Sequence, residues 1–143
     1  MSSVVLTKDD GLVCSLPAAS VVAILSIALE GASAERPQMR SVLISSFRGG
    51  ARPGLAHTAA EAADEVEKAR PDEVAASWVE LSSGDDVTRI MPGLIRGFDQ
   101  LSEALMRVDF ERPDGEIASV LIDNTPENLE RVSADLKGTD HVD

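Results

Sequence analysis

Two short β-rich runs, Ser3-Val4-Val5-Leu6-Thr7 and Leu12-Val13-Cys14-Ser15-Leu16, flank Lys8-Asp9-Asp10-Gly11 at the start of the chain. An Asp-Gly pair between two such runs predicts a β-hairpin. From Pro17 to Gly31 the pattern changes. Val21, Val22, Ile24, Leu25, Ile27 and Leu29 leave no polar stripe, and Ser15, Pro17 and Gly31 stand where a cap, a first turn and a stop belong. This reads as a helix over residues 17–30 that is apolar all round and needs cover on every side. Met39 to Phe47 reads as a strand about Val42-Leu43-Ile44. The glycine-rich loop Arg48-Gly49-Gly50-Ala51-Arg52-Pro53-Gly54 follows it.

Thr58-Ala59-Ala60-Glu61 has the form of a capping box. The helix it opens turns Ala59, Ala62, Ala63, Val66 and Ala69 inward and stops before Pro71, because a residue ahead of proline avoids the α region. Residues 72–91 fit two patterns. Val74, Ala75, Trp78 and Leu81 suit a helix. Val79 and Leu81 alternating with Trp78 and Glu80 ahead of Ser83-Gly84-Asp85-Asp86 suit a hairpin, which is preferred because Val87-Thr88-Arg89-Ile90 supplies a partner run. Leu94, Ile95, Phe98, Leu101 and Leu105 predict an amphipathic helix over Pro92 to Met106. Residues 107–111 and 116–123 read as a hairpin about Arg112-Pro113-Asp114-Gly115, and continuous Val120, Leu121 and Ile122 suggest a strand covered on both faces. Thr125 and Pro126 open a last helix with Leu129, Val132 and Leu136 inward.

The expected architecture is therefore α+β: a two-layer domain, with a mixed but largely antiparallel sheet built from hairpins and about four helices packed on it. At 143 residues one domain over 1–137 accounts for the chain, with 138–143 a frayed tail.

Charge narrows the function. Thirteen Lys and Arg against 25 Asp and Glu give a net −12, which disfavours general nucleic-acid binding and docking on anionic membranes. The longest apolar run, Pro17–Leu29, is shorter than the ~20 residues of a membrane span, and Met1-Ser2-Ser3 lacks a basic leader, so the expected address is cytoplasmic. With one cysteine and two histidines, an internal disulfide and a Cys- or His-rich metal site are not expected, and no cofactor is implied.

The charge is also uneven. Arg36, Arg40, Arg48 and Arg52 form a basic island without acids in an acidic chain, and the island coincides with the glycine-rich loop. Arg48, Gly49, Gly50, Arg52 and Gly54 are the candidate anion site, where backbone N–H groups and two guanidinium forks could meet phosphate oxygens. The loop has neither the ending of a P-loop nor the spacing of a dinucleotide fingerprint. His57 is a candidate base beside it, without an orienting carboxylate at a defined spacing. Cys14 reads as a buried small hydrophobe. Asp9-Asp10 and Asp85-Asp86 read as turn residues, and Asp64 is placed to pair with Lys68.

No catalytic constellation follows from these residues. The expected function is a non-catalytic binding or regulatory module acting through protein–protein contacts, as a homodimer and with an unidentified protein. Val21, Val22, Leu25 and Leu29 of the apolar segment are the candidate interface. The alternative is an enzyme or sensor that takes a phosphate-bearing small molecule at the Arg48–Gly54 loop.

Overall fold

The structure, a computed structural model, describes residues 3–28, 39–46, 54–69, 78–84 and 86–140. The chain is α+β. Its first hairpin joins β1 (Ser3–Thr7) to β2 (Val13–Pro17). After a 3-10 turn (Ala18–Ser20) come β3 (Val21–Ala28), β4 (Met39–Ser45), β5 (Gly54–Leu55), α1 (Ala59–Ala69), β6 (Val79–Ser83) and β7 (Asp86–Ile90). The last part is β8 (Ile95–Gln100), β9 (Leu105–Glu111), β10 (Ile117–Asp123) and α2 (Pro126–Asp140). The strands form the β1–β2 hairpin, a five-stranded sheet in the order β5-β4-β3-β7-β6, and a three-stranded sheet in the order β10-β9-β8. Every pairing between these strands is antiparallel. Two α-helices are present among the described residues, where the sequence pattern predicts about four.

The segment 17–30 accounts for part of that difference. Pro17 closes β2, Ala18–Ser20 make a single tight turn in which the Ser20 hydroxyl donates to the Pro17 carbonyl at 2.6 Å, and Val21–Ala28 are a strand. A short run that is apolar on all sides suits a doubly covered strand as well as a buried helix, and periodicity alone does not separate them. Here β-branched Val21, Val22, Ile24 and Ile27 favour the strand. β3 lies third of five, and its faces point into two different cores. On one face Ile24 packs with Leu43, Val4, Leu6, Leu16, Leu55, Trp78 and the alanine stripe of α1. On the other, Ala23 and Leu25 pack with Ile44, Leu81 and Ile90 against Ile95, Met106, Val108, Phe110, Val120 and Ile122, with Val132 of α2. The central sheet is thus covered on both faces and stands between the others, so the two-layer expectation gives way to this arrangement.

Residues 92–106 account for the rest. Gly93 has φ 86°, a left-handed value that ends any helix there, and Ile95–Gln100 are a strand. Leu101 donates its N–H to the Leu105 carbonyl at 2.9 Å, and the Ser102 hydroxyl accepts from the N–H groups of Ala104 and Leu105, which closes the turn into β9. Pairing β8 with β9 buries Ile95, Met106, Val108 and Phe110 together, whereas the helical stripe of the sequence leaves Leu101 and Leu105 exposed. Of the apolar trio 120–122, Val120 and Ile122 are buried and Leu121 is 46% exposed, so β10 is covered on one face only. The hairpins expected within 3–16, 79–90 and 107–123 form, the last with β9 starting two residues earlier, at Leu105. α2 continues to Asp140, three residues into the segment expected to fray, and 141–143 lie outside the described residues. No helix is long and apolar enough to cross a membrane among the described residues.

Candidate functional site

The helix most easily mistaken for an anion site is already satisfied from within. At the start of α1 the Thr58 N–H donates to Glu61 Oε1 at 2.9 Å, and the Glu61 N–H donates to Thr58 Oγ1 at 3.1 Å, the reciprocal box the sequence predicts. The two remaining N–H groups of the first turn, on Ala59 and Ala60, donate to Asp86 Oδ2 and Oδ1 at 2.9 and 3.1 Å. A carboxylate at a helix N-terminus satisfies orphan donors and meets the positive end of the helix dipole. Asp86 is therefore a cap supplied from β7, more than the turn residue its sequence context suggests. The Glu61 carboxyl is held below the usual carboxylate range, chiefly by the Thr58 backbone N–H and next by its hydroxyl. Asp114 is held low by the Glu116 N–H first and by Arg112 after it.

Of the candidate anion loop, Arg48, Gly49, Gly50 and Arg52 lie outside the described residues. Gly54 is buried in β5 opposite Val42, and its carbonyl accepts the Asp9 N–H at 3.1 Å. His57 is half-buried. Its Nε2 accepts the Thr7 N–H at 3.2 Å, and its carbonyl accepts the Ser41 hydroxyl at 2.7 Å, so it ties β1 to the central sheet. Cys14 is half-buried on the core side of β2, where a fully buried thiol is expected from sequence. Asp10 accepts the Leu12 N–H within its turn, and Lys68 pairs with Glu65 at 3.4 Å instead of with Asp64. Val21 and Leu25 are buried on opposite faces of β3 and Val22 is half-buried, while Leu29 lies outside the described residues. The cover over Val21 and Leu25 comes from the chain's own layers. No group of three or more metal-ligating side chains occurs among the described residues.

What the sequence reading missed is how the sheet edges are treated. The outer edge of β6 is covered by side chains. Arg131 Nη1 donates to the Glu80 carbonyl at 2.8 Å, Asn128 takes both backbone groups of Ser82, and Asp123 Oδ2 accepts the Gly84 N–H at 3.0 Å. Beside Arg131 an open groove of about 510 Å³ runs between β6 and α2, lined by Trp78, Val79, Glu80, Ala134 and Asp135. β8, at the edge of its sheet, carries Arg96 and Asp99 and an irregular register between Ile95 and Gly97, features that blunt an edge. At the far side of β1, Thr7 is taken by His57 and by the Ala56 N–H donating to its carbonyl at 2.9 Å, and in the turn that follows Asp9 donates its N–H to the Gly54 carbonyl.

β2 is different. In an antiparallel ladder, residues alternate between bonding the neighbour and pointing away from it. Lys8 donates to the Leu12 carbonyl at 2.7 Å, and Leu6 and Val4 oppose Cys14 and Leu16. That alternation turns the even-numbered residues of β2 toward β1 and leaves the N–H and C=O of Val13 and Ser15 facing outward. Nothing among the described residues pairs with them. Val5 and Val13, 60% and 65% exposed, share the outer face of this hairpin, and Leu12 beside them is 62% exposed. β2 has no charged side chain. An open edge next to exposed aliphatics is a surface built for contact with another polypeptide.

No family model matches the chain, and neither a curated protein nor a solved structure matches it significantly.

Proposed function

We propose that this protein is a binding module that acts through protein–protein contact, and that the β1–β2 hairpin is the surface it offers. The observation that carries this reading is the contrast between edges: β6 and the Thr7 end of β1 have their backbone groups taken by side chains or neighbouring strands, whereas Val13 and Ser15 keep theirs outward beside exposed Val5 and Val13. An extended segment laid along β2 would gain main-chain hydrogen bonds for affinity, and the outer face would add an apolar contact for selectivity.

The test is a selection of displayed random peptides on the immobilised protein. The peptides recovered are expected to be extended and apolar, and to lose binding to Ser15→Pro. That substitution removes an outward N–H without touching the pairing to β1. Peptides that bind Ser15→Pro as well as the parent chain, or no peptides at all, would overturn the reading.

A further inference from the structure

Resting on that reading, we propose that the occupant of the β2 edge is a second copy of this chain, paired antiparallel about a two-fold axis that passes beside Cys14.

Charge selects the partner. The chain carries a net −12, so two copies repel over most of their surfaces. Residues 11–29 contain no ionisable side chain except the Cys14 thiol, and β2 lies inside that stretch. This is a face where two acidic molecules can meet without facing like charges, and the exposed aliphatics Val5 and Val13 lie on it.

The backbone selects the register. With the axis at Cys14, Val13 of each copy stands opposite Ser15 of the other in a hydrogen-bonded pair, and all the outward N–H and C=O groups of both residues are used. With the axis at Ser15, Val13 would face Pro17, which has no N–H, and its carbonyl would be covered without a donor. With the axis at Val13, Ser15 would face Gly11, whose N–H already donates to the Lys8 carbonyl at 3.0 Å inside the turn. Only the Cys14 register uses every outward group of Val13 and Ser15; Pro17 then faces Gly11, with its carbonyl already accepting the Ser20 hydroxyl. It places the two Cys14 residues in a non-hydrogen-bonded pair, with Cα atoms about 4.5 Å apart, within the range a disulfide spans. The two sheets would then join edge to edge, with Val5 and Val13 of both copies on one outer face. A contact of two short strands is small, so the dimer is expected to depend on concentration.

The experiment combines light scattering over a concentration series with thiol oxidation by diamide. Diamide accepts two electrons and two protons from two thiols, becoming the hydrazine as one S–S bond forms. The expected result is a mass rising toward twice 15.1 kDa, a disulfide-linked dimer through Cys14 in the parent chain, and at least a tenfold slower cross-link in Ser15→Pro. Val13→Lys, which keeps every backbone donor, is expected to shift the association by a similar factor and guards against a folding defect in the proline variant. Cys14→Ser/Ser15→Cys is expected to cross-link poorly; efficient cross-linking there would replace the register. A mass of one chain at every concentration would overturn the second copy as occupant and leave the peptide selection to decide the edge itself. A dimer that ignores Ser15→Pro and Val13→Lys would overturn both this proposal and the hairpin as the contact surface.

Discussion

Asn128 of α2 pairs with Ser82 of β6 as a neighbouring strand would: its Oδ1 accepts the Ser82 N–H at 2.9 Å and its Nδ2 donates to the Ser82 carbonyl at 3.0 Å. The same Nδ2 donates to the Asp123 carbonyl at 2.7 Å, and the side chain is completely buried. One amide therefore ends the central sheet and ties it to the β10–α2 junction. Asn128→Ala would leave two backbone groups of Ser82 and the Asp123 carbonyl short of partners. A loss of roughly 2–4 kcal/mol is expected, given ~1–3 kcal/mol for each buried group left unsatisfied. Equilibrium urea unfolding measures it, and a loss under 1 kcal/mol would show that water replaces the amide.

Asp86 performs the corresponding task for α1. Asp86→Ala should cost about 1–2 kcal/mol, the range for a lost helix cap. Asp86→Asn keeps an acceptor and should lose only the charge–dipole part, about 0.3–1 kcal/mol. The ordering of the two variants in chemical denaturation is the check.

Acid should weaken the fold through Glu61 and Asp114. Both carboxyls are held below their ordinary values in the folded chain. The stability they contribute is therefore present above the ordinary carboxylate range, near pH 4. It is lost as pH falls through that range toward the folded values, because the unfolded chain binds protons first. In urea titrations between pH 7 and pH 3, Glu61→Gln should be less stable than the parent at neutral pH, with the gap closing toward pH 3. A gap that stays constant would mean the Glu61 charge is not involved.

Neighbouring apolar residues in β10 should behave oppositely. Ile122 is buried at 1% exposure and its truncation to alanine should cost about 2–4 kcal/mol. Leu121→Ser, on the open face, should stay within about 0.5 kcal/mol. Comparable losses at both positions would mean that something covers the outer face of the three-stranded sheet.

His57→Ala should cost about 1 kcal/mol, because the Thr7 N–H loses its acceptor. Amide exchange at Thr7 should quicken in this variant while Leu6, paired to Cys14, stays protected. Unchanged exchange at Thr7 would show that the imidazole does not hold that edge of β1.

Local chemistry made much of this protein legible from its residues. Asp10-Gly11, Ser83-Gly84 and Asp114-Gly115 mark turns between runs that do form hairpins, and Thr58 with Glu61 marks the start of α1, because both signals are completed within a few residues. Residues 17–30 and 92–106 were not legible in the same way. The former is apolar in every direction, and the latter carries a helical stripe as well as β-branched and aromatic residues. Each takes the strand form because a distant neighbour pairs with it, β4 and β7 in the first case and β9 in the second. The same holds for Asp86, Asn128 and His57. Their partners lie 27, 46 and 50 positions away, so nothing in the adjacent sequence distinguishes a cap or an edge closure from an ordinary polar residue. Composition and short-range spacing determined the turns, the capping box and the acidic surface. Only tertiary structure decided which strand edges are sealed and which stay open, because an edge is closed by whatever the fold brings beside it.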